Sequence, residues 1–160
     1  MLAEHFSKMW WAYVVIVVMI MLSAYFSASE IAFNSANKMR LRRTAEGGSK
    51  TAKIAFAISE KFTMALSAIL IGNNIVNILS ASLATILFIN LIGDIGTPVS
   101  TIVMTLLVLV FGEICPKTIA KKKPEAFVLF SAPIIKAIMV ILFPLTFIFK
   151  KLQNSVRCIF

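Results

Sequence analysis

From Phe62 to Ile92 the chain carries no charged side chain. A helix needs ~20 apolar residues to cross a bilayer, and two further runs are long enough: Met9 to Phe33, and Pro98 to about Ala120. Backbone polar groups inside hydrocarbon must be satisfied by the structure itself, which restricts such runs to helices or a closed barrel. Continuous apolar runs of this length point to helices. Composition agrees: 59% of the 160 residues are hydrophobic, above the ~45 to 50% apolar content of soluble domains. The expected class is therefore an all-α membrane protein with three transmembrane helices, at about 9–33, 62–92 and 98–120, and further helices at the cytoplasmic boundary.

Charge sets the orientation. The formal charge of +9 arises from 16 Lys and Arg against 7 Asp and Glu. Such a balance suits either nucleic acid or anionic lipid. Position decides between them, because Lys38, Arg40, Arg42, Arg43, Lys50, Lys53 and Lys61 lie between the first two runs and Lys117, Lys121, Lys122 and Lys123 end the third. Basic residues flanking spans mark the cytoplasmic side. The partner expected is the bilayer, with no nucleic acid. The chain belongs in the plasma membrane, the inner membrane of a bacterium, with its N-terminus outside and its C-terminus cytoplasmic. The hairpin "GDIGTP" carries one acid and no base, so it belongs outside, with Thr97 placed to cap the third helix and Pro98 at its first position. The N-terminal run exceeds a signal-peptide core and has no convincing cleavage site before "NSANK", so it reads as a retained helix.

Between the first two runs, residues 36–61 are helix-prone on both sides of Gly47 and Gly48 and predict a helical hairpin. The segment 125–150 is apolar but interrupted by Pro133, Lys136 and Pro144, and Lys150, Lys151 and Arg157 follow it. A crossing there would carry the basic tail outside, and Ala137 to Phe149 makes only ~20 Å of helix. Broken helices lying along, or dipping into, the cytoplasmic face are expected in preference to a fourth span. Cys115 and Cys158 are too few and too separated for a disulfide framework or a thiolate metal site. The one histidine, His5, is in the N-terminal tail.

Polar groups inside spans are costly and point to function. Three sets occur. Ser27 and Ser23 lie ~16 and ~22 Å along the helix from Lys38; Asn73 and Asn77 lie ~18 and ~24 Å from Lys61; Glu113 lies ~12 Å from Lys121. All fall in one slab of the membrane. The serines are four residues apart, as are the asparagines, so each pair shares a helix face. Pro116 has no N–H, which deprives the carbonyl of Gly112 of its α-helical partner beside Glu113. Hydroxyl, amide, carbonyl and carboxylate oxygens suit Mg2+, Ca2+ or Na+ and not zinc or copper. With one certain carboxylate, a bound divalent ion keeps net positive charge, which suits release and hence transport. Plainer roles compete: Ser23 for close packing, Asn74 for joining helices, Glu113 for an ion pair with Lys117, and Glu30 for one with a loop arginine.

The stretches "LSAYFSASEIAFNSANKMRL", "GNNIVNI" and "FGEICPKTIA" resemble the transmembrane domain of the CorC and cyclin M (CNNM) family of magnesium transporters. The resemblance covers the chain from about Met9 to Phe149. It implies a homodimer with three membrane helices per subunit, cytoplasmic juxtamembrane helices, and export of Mg2+ coupled to Na+ entry. It places a dehydrated Mg2+ among Ser23, Ser27, Asn73, Asn77 and Glu113. It also implies a following paired CBS module that binds adenine nucleotide, which the chain does not reach. Two other functions use the same ligands: a Mg2+ sensor or scaffold acting on another transporter, and a passive divalent-cation channel. An enzyme is not expected, because Glu113 has no paired acid, histidine or nucleophile.

Overall fold

The computed structural model describes the backbone of residues 2–144 and the side chains of residues 10–144. Every regular element among these residues is helical: α1 (Leu2–Ser35), α2 (Lys38–Glu46), α3 (Lys50–Glu60), α4 (Phe62–Ile92), α5 (Gly96–Leu107), a π-helical segment (Val108–Ile114), α6 (Cys115–Lys122) and α7 (Pro124–Ile141). Three stretches are long and apolar enough to cross a membrane: Trp10–Ser35, Phe62–Lys122 and Pro124–Ile141.

The burial pattern is that of a protein folded in lipid. α4 buries Ala65, Ala68, Ile69, Gly72, Asn73, Val76, Ser80, Ala84 and Leu87, which recur with the helical period along one face, while Ile75, Ile78, Leu79, Ile86 and Ile89 face outward. α1 likewise buries Ala12, Ser23, Ser27 and Ala28 and exposes Val14, Val17, Val18, Met21 and Leu22. Lipid tails are as apolar as leucine, so apolar bulk gains nothing by turning inward. Close approach of small residues and interhelical hydrogen bonds hold the helices together instead.

The chain forms two compact units, residues 1–28 with 73–119, and residues 29–72 with the described residues from 120 onward. In the first, α4 and α5 form a hairpin. Its turn is a 3-10 helix, Gly93–Ile95, in which Gly93 takes φ +70°, a conformation that a side chain disfavours. Gly96 allows the returning helix to touch the outgoing one, since a Cβ there would lie 2.4 Å from the Phe88 backbone. α5 starts at Gly96, and no side chain caps it. Thr97 is therefore not the cap that the sequence suggests. The chain enters α5 from the 3-10 turn already in helical geometry, and the Thr97 carbonyl accepts from the hydroxyls of Ser100 and Thr101.

In the second unit, Asn37 caps α2 by accepting from the N–H groups of Met39 and Arg40, and Ser49 caps α3 by accepting from that of Ala52. Gly47 and Gly48, the latter at φ +97°, turn the chain between these helices, which pack together. α3 also packs against α7, burying Ala52, Ala55, Ile58 and Ser59 on one side and Val128, Ser131, Ala132 and Ile135 on the other. Of the interruptions expected in the 125–150 segment, the one at Pro133 is absent. α7 runs unbroken through Pro133 to Ile141. The proline removes the bond to the Leu129 carbonyl, at about 3 kcal/mol, but the four residues buried around it hold the helix in line. α7 ends at Ile141: Leu142 leaves helical geometry at φ −87° and ψ 4°, and Phe143 and Pro144 are helical again. The rest of the 125–150 segment, the basic tail, Cys158 and the side chain of His5 lie outside the described residues.

Candidate functional site

Ser23 and Asn73 meet. The Ser23 hydroxyl donates to Asn73 Oδ1 at 2.9 Å, and both side chains are buried. Successive spans cross a bilayer in opposite directions, so one turn further along α1 and one turn further along α4 lead to opposite sides of this bond. Ser27 and Asn77 occupy those turns. Side chains on a helix lean toward its N-terminus, so both lean back toward the Ser23–Asn73 level. The Oγ of Ser27 and the Oδ1 of Asn77 are buried, and neither has a hydrogen-bond partner among the described residues. An unsatisfied buried polar atom costs about 1–3 kcal/mol. Two such atoms, each one turn from a buried serine–asparagine bond, mark a place for an ordered water or a cation.

The third wall comes from the irregular helix. The Cys115 N–H donates to the Val110 carbonyl, five residues back, in π geometry. In an α-helix that N–H would serve Phe111, whose π partner would be Pro116, which has none. In π geometry the carbonyl that faces Pro116, and so loses its donor, is that of Phe111; in α geometry it is that of Gly112, the one expected from the sequence. Gly112 is buried for another reason as well, because a Cβ there would sit 2.9 Å from Ser23 Oγ. The absence of a side chain lets the π segment press against α1.

Glu113 follows directly, half-buried and forming no ion pair among the described residues, with Lys117 or any other base. It lines a cleft of about 320 Å3 together with Asn77, Thr85, Ser100, Thr101 and Thr105. Thr85 and Ser100 bring their hydroxyls within 3.0 Å of each other and brace the hairpin. Sequence reasoning missed this hydroxyl seam. Its signal was present: Asn73, Asn77, Ala81 and Thr85 recur every four residues along α4, one stripe that continues past the asparagines.

Asn77 and Glu113 thus share one cavity, and Ser23, Asn73 and Gly112 share one packed contact. Among the described residues no three His, Cys, Asp or Glu side chains gather. The donor set is neutral oxygens with a single carboxylate, suited to a hard cation.

These features define a polytopic helical membrane protein with an oxygen-lined polar centre inside its apolar spans. The chain belongs to the family described as the cyclin M transmembrane N-terminal domain, which matches residues 14–160. It is 40% identical over 143 residues to a UPF0053 protein of Haemophilus influenzae, covering 89% of this chain and 34% of that protein. It is also 40% identical over 127 residues to the UPF0053 inner membrane protein YfjD of Escherichia coli, covering 79% and 30%. A Synechocystis relative, UPF0053 protein sll0260, is 31% identical over 159 residues, covering 91% and 36%. The chain spans about a third of the length of these curated relatives.

Proposed function

We propose that the chain is the membrane part of a Mg2+ transporter that exports the ion across the plasma membrane in exchange for Na+. It acts as a homodimer, with its N-terminus outside and the α2–α3 hairpin in the cytoplasm. The observation that carries this reading is the pair of buried, unpartnered oxygens, Ser27 Oγ and Asn77 Oδ1, on either side of the Ser23–Asn73 bond. A hard cation in this centre gives either oxygen the partner it lacks.

The hydrogen bonds divide the roles. Ser23 commits its only proton to Asn73, which leaves its lone pairs available to the ion. Asn77 Oδ1 is the direct amide ligand, and Asn73 orients Ser23 while keeping one lone pair of its own. Ser27, the Gly112 carbonyl and Glu113 complete the oxygen set. Mg2+ binds oxygen in near-octahedral geometry at about 2.0–2.1 Å and dehydrates reluctantly, so neutral ligands and one carboxylate hold it without trapping it. Na+ drives export by binding the two access states with different affinity, the condition for any ligand to shift an equilibrium. No residue is assigned to bond-breaking chemistry, and the protein acts as a carrier, not an enzyme. The greater length of the relatives is consistent with cytoplasmic domains beyond this chain, among them a nucleotide-binding CBS pair.

The test is Mg2+ movement in proteoliposomes, with and without an opposing Na+ gradient, for wild type and Glu113→Ala. Saturable, Na+-dependent flux in wild type and its loss in the variant is the expected result. Flux that neither saturates nor depends on Na+ would make the protein a channel. Mg2+ binding without flux would make it a sensor or scaffold.

A further inference from the structure

Lys136 stands in the middle of an apolar helix, and the proposed transport reaction does not use it. In the second unit it lines a groove of about 380 Å3 together with Lys61, at the junction of α3 and α4. The lining residues beside the lysines are apolar, among them Ile54 and Ile58 of α3, Met64 of α4 and Met139 of α7. Among the described residues no acidic side chain lines the groove. Two bases of this unit have acidic partners: Arg40 lies 3.6 Å from Glu125, and Arg42 donates to Glu46 at 2.9 Å. Neither Lys61 nor Lys136 forms an ion pair among the described residues.

Two ammonium groups along an apolar trough call for an anion that carries its own apolar surface. A small soluble anion satisfies the lysines but leaves the methionine and isoleucine walls in water, which is unfavourable in proportion to area. A zwitterionic lipid covers the walls but brings a positive group to the lysines. An anionic phospholipid meets both demands, with its phosphate between the ammonium groups and an acyl chain along the groove. The geometry points to this groove as a binding site for one anionic phospholipid, held at the charged boundary of the membrane domain. The site is separate from the polar centre in the first unit and does not depend on its function.

The experiment is a lipid titration of the purified chain in neutral detergent, read by native mass spectrometry and by the thermal unfolding midpoint. Phosphatidylglycerol, phosphatidylcholine and inorganic phosphate are compared. Wild type should retain one phosphatidylglycerol with at least tenfold preference over phosphatidylcholine, and inorganic phosphate at the same concentration should not displace it. Lys61→Gln and Lys136→Gln should each weaken phosphatidylglycerol binding roughly fivefold, and the double variant should lose the preference. Lys53→Gln, an exposed charge on α3 outside the groove, should keep it. Equal binding of the two lipids by wild type would overturn the proposal without recourse to any variant. So would displacement by inorganic phosphate, which would mean a soluble anion, or a preference that survives in the folded double variant.

Discussion

Ser27 is buried with no hydrogen-bond partner among the described residues, and that makes it informative about the ion. If its hydroxyl exists for a cation, removing it should help the empty protein and harm the loaded one. Ser27→Ala should leave the Mg2+-free unfolding midpoint unchanged or raise it by up to ~1 kcal/mol in stability, because an unsatisfied group is lost. The same variant should bind Mg2+ at least tenfold more weakly, measured as the dependence of the midpoint on Mg2+. Gly112 makes the opposite case. A methyl group there would fall 2.9 Å from Ser23 Oγ, so Gly112→Ala must displace the serine and disturb its bond to Asn73. The expected cost is about 1–3 kcal/mol, read by thermal unfolding. Ser23→Ala in the same chain removes the clashing oxygen and should recover part of that loss. The serine and asparagine pairs were legible in the sequence because four-residue spacing places them on one helix face. Which oxygen bonds which was not, since that depends on the rotation of one helix against another.

At the scale of the element, the π-helical segment decides where Glu113 points. One extra residue per turn shifts everything before it by about 100° relative to a straight α-helix. Pro116 supports the irregularity by withholding the N–H that an α-helix would use. Pro116→Ala should supply that donor to Gly112, favour the α register and rotate Glu113 away from the cleft it shares with Asn77. The expected outcome is at least a tenfold loss of Mg2+ flux in proteoliposomes with thermal stability unchanged or raised. A variant that keeps full flux would show that the π register is not needed. The sequence announced a disturbance at Pro116 but not its form, because a missing donor can be met by a kink, a break or a wider turn. α7 makes the same point. Pro133 signalled an interruption, yet Val128, Ser131, Ala132 and Ile135 pack against α3 and the helix continues.

For the whole molecule, the polar centre implies that folding and ion binding are linked. A ligand held by the native state alone stabilises it by about 2.7 kcal/mol at one hundred times its dissociation constant. Mg2+ should therefore raise the unfolding midpoint of wild type in detergent. Glu113→Gln should abolish most of that rise while leaving the ion-free midpoint nearly unchanged, since Glu113 has no ion pair to lose among the described residues. If Mg2+ raises the midpoint of both proteins equally, the ion binds somewhere other than this centre.

What the sequence by itself determined is what periodicity, length and charge encode locally. That includes the helical membrane class, the long apolar spans, the hairpin turning at Gly47 and Gly48, and the four-residue spacing that puts each serine and asparagine pair on one helix face. The tertiary structure alone decided the Ser23–Asn73 bond, the two unpartnered oxygens beside it, the π register before Pro116, the Thr85–Ser100 brace and the continuity of α7. The reason is that lipid removes the usual guide to helix facing. In water a large apolar side chain must turn inward, whereas here Ile78 and Val17 face outward as favourably as they would inward. Rotational phase then rests on small residues and buried hydrogen bonds, whose partners lie as many as fifty positions apart in the chain.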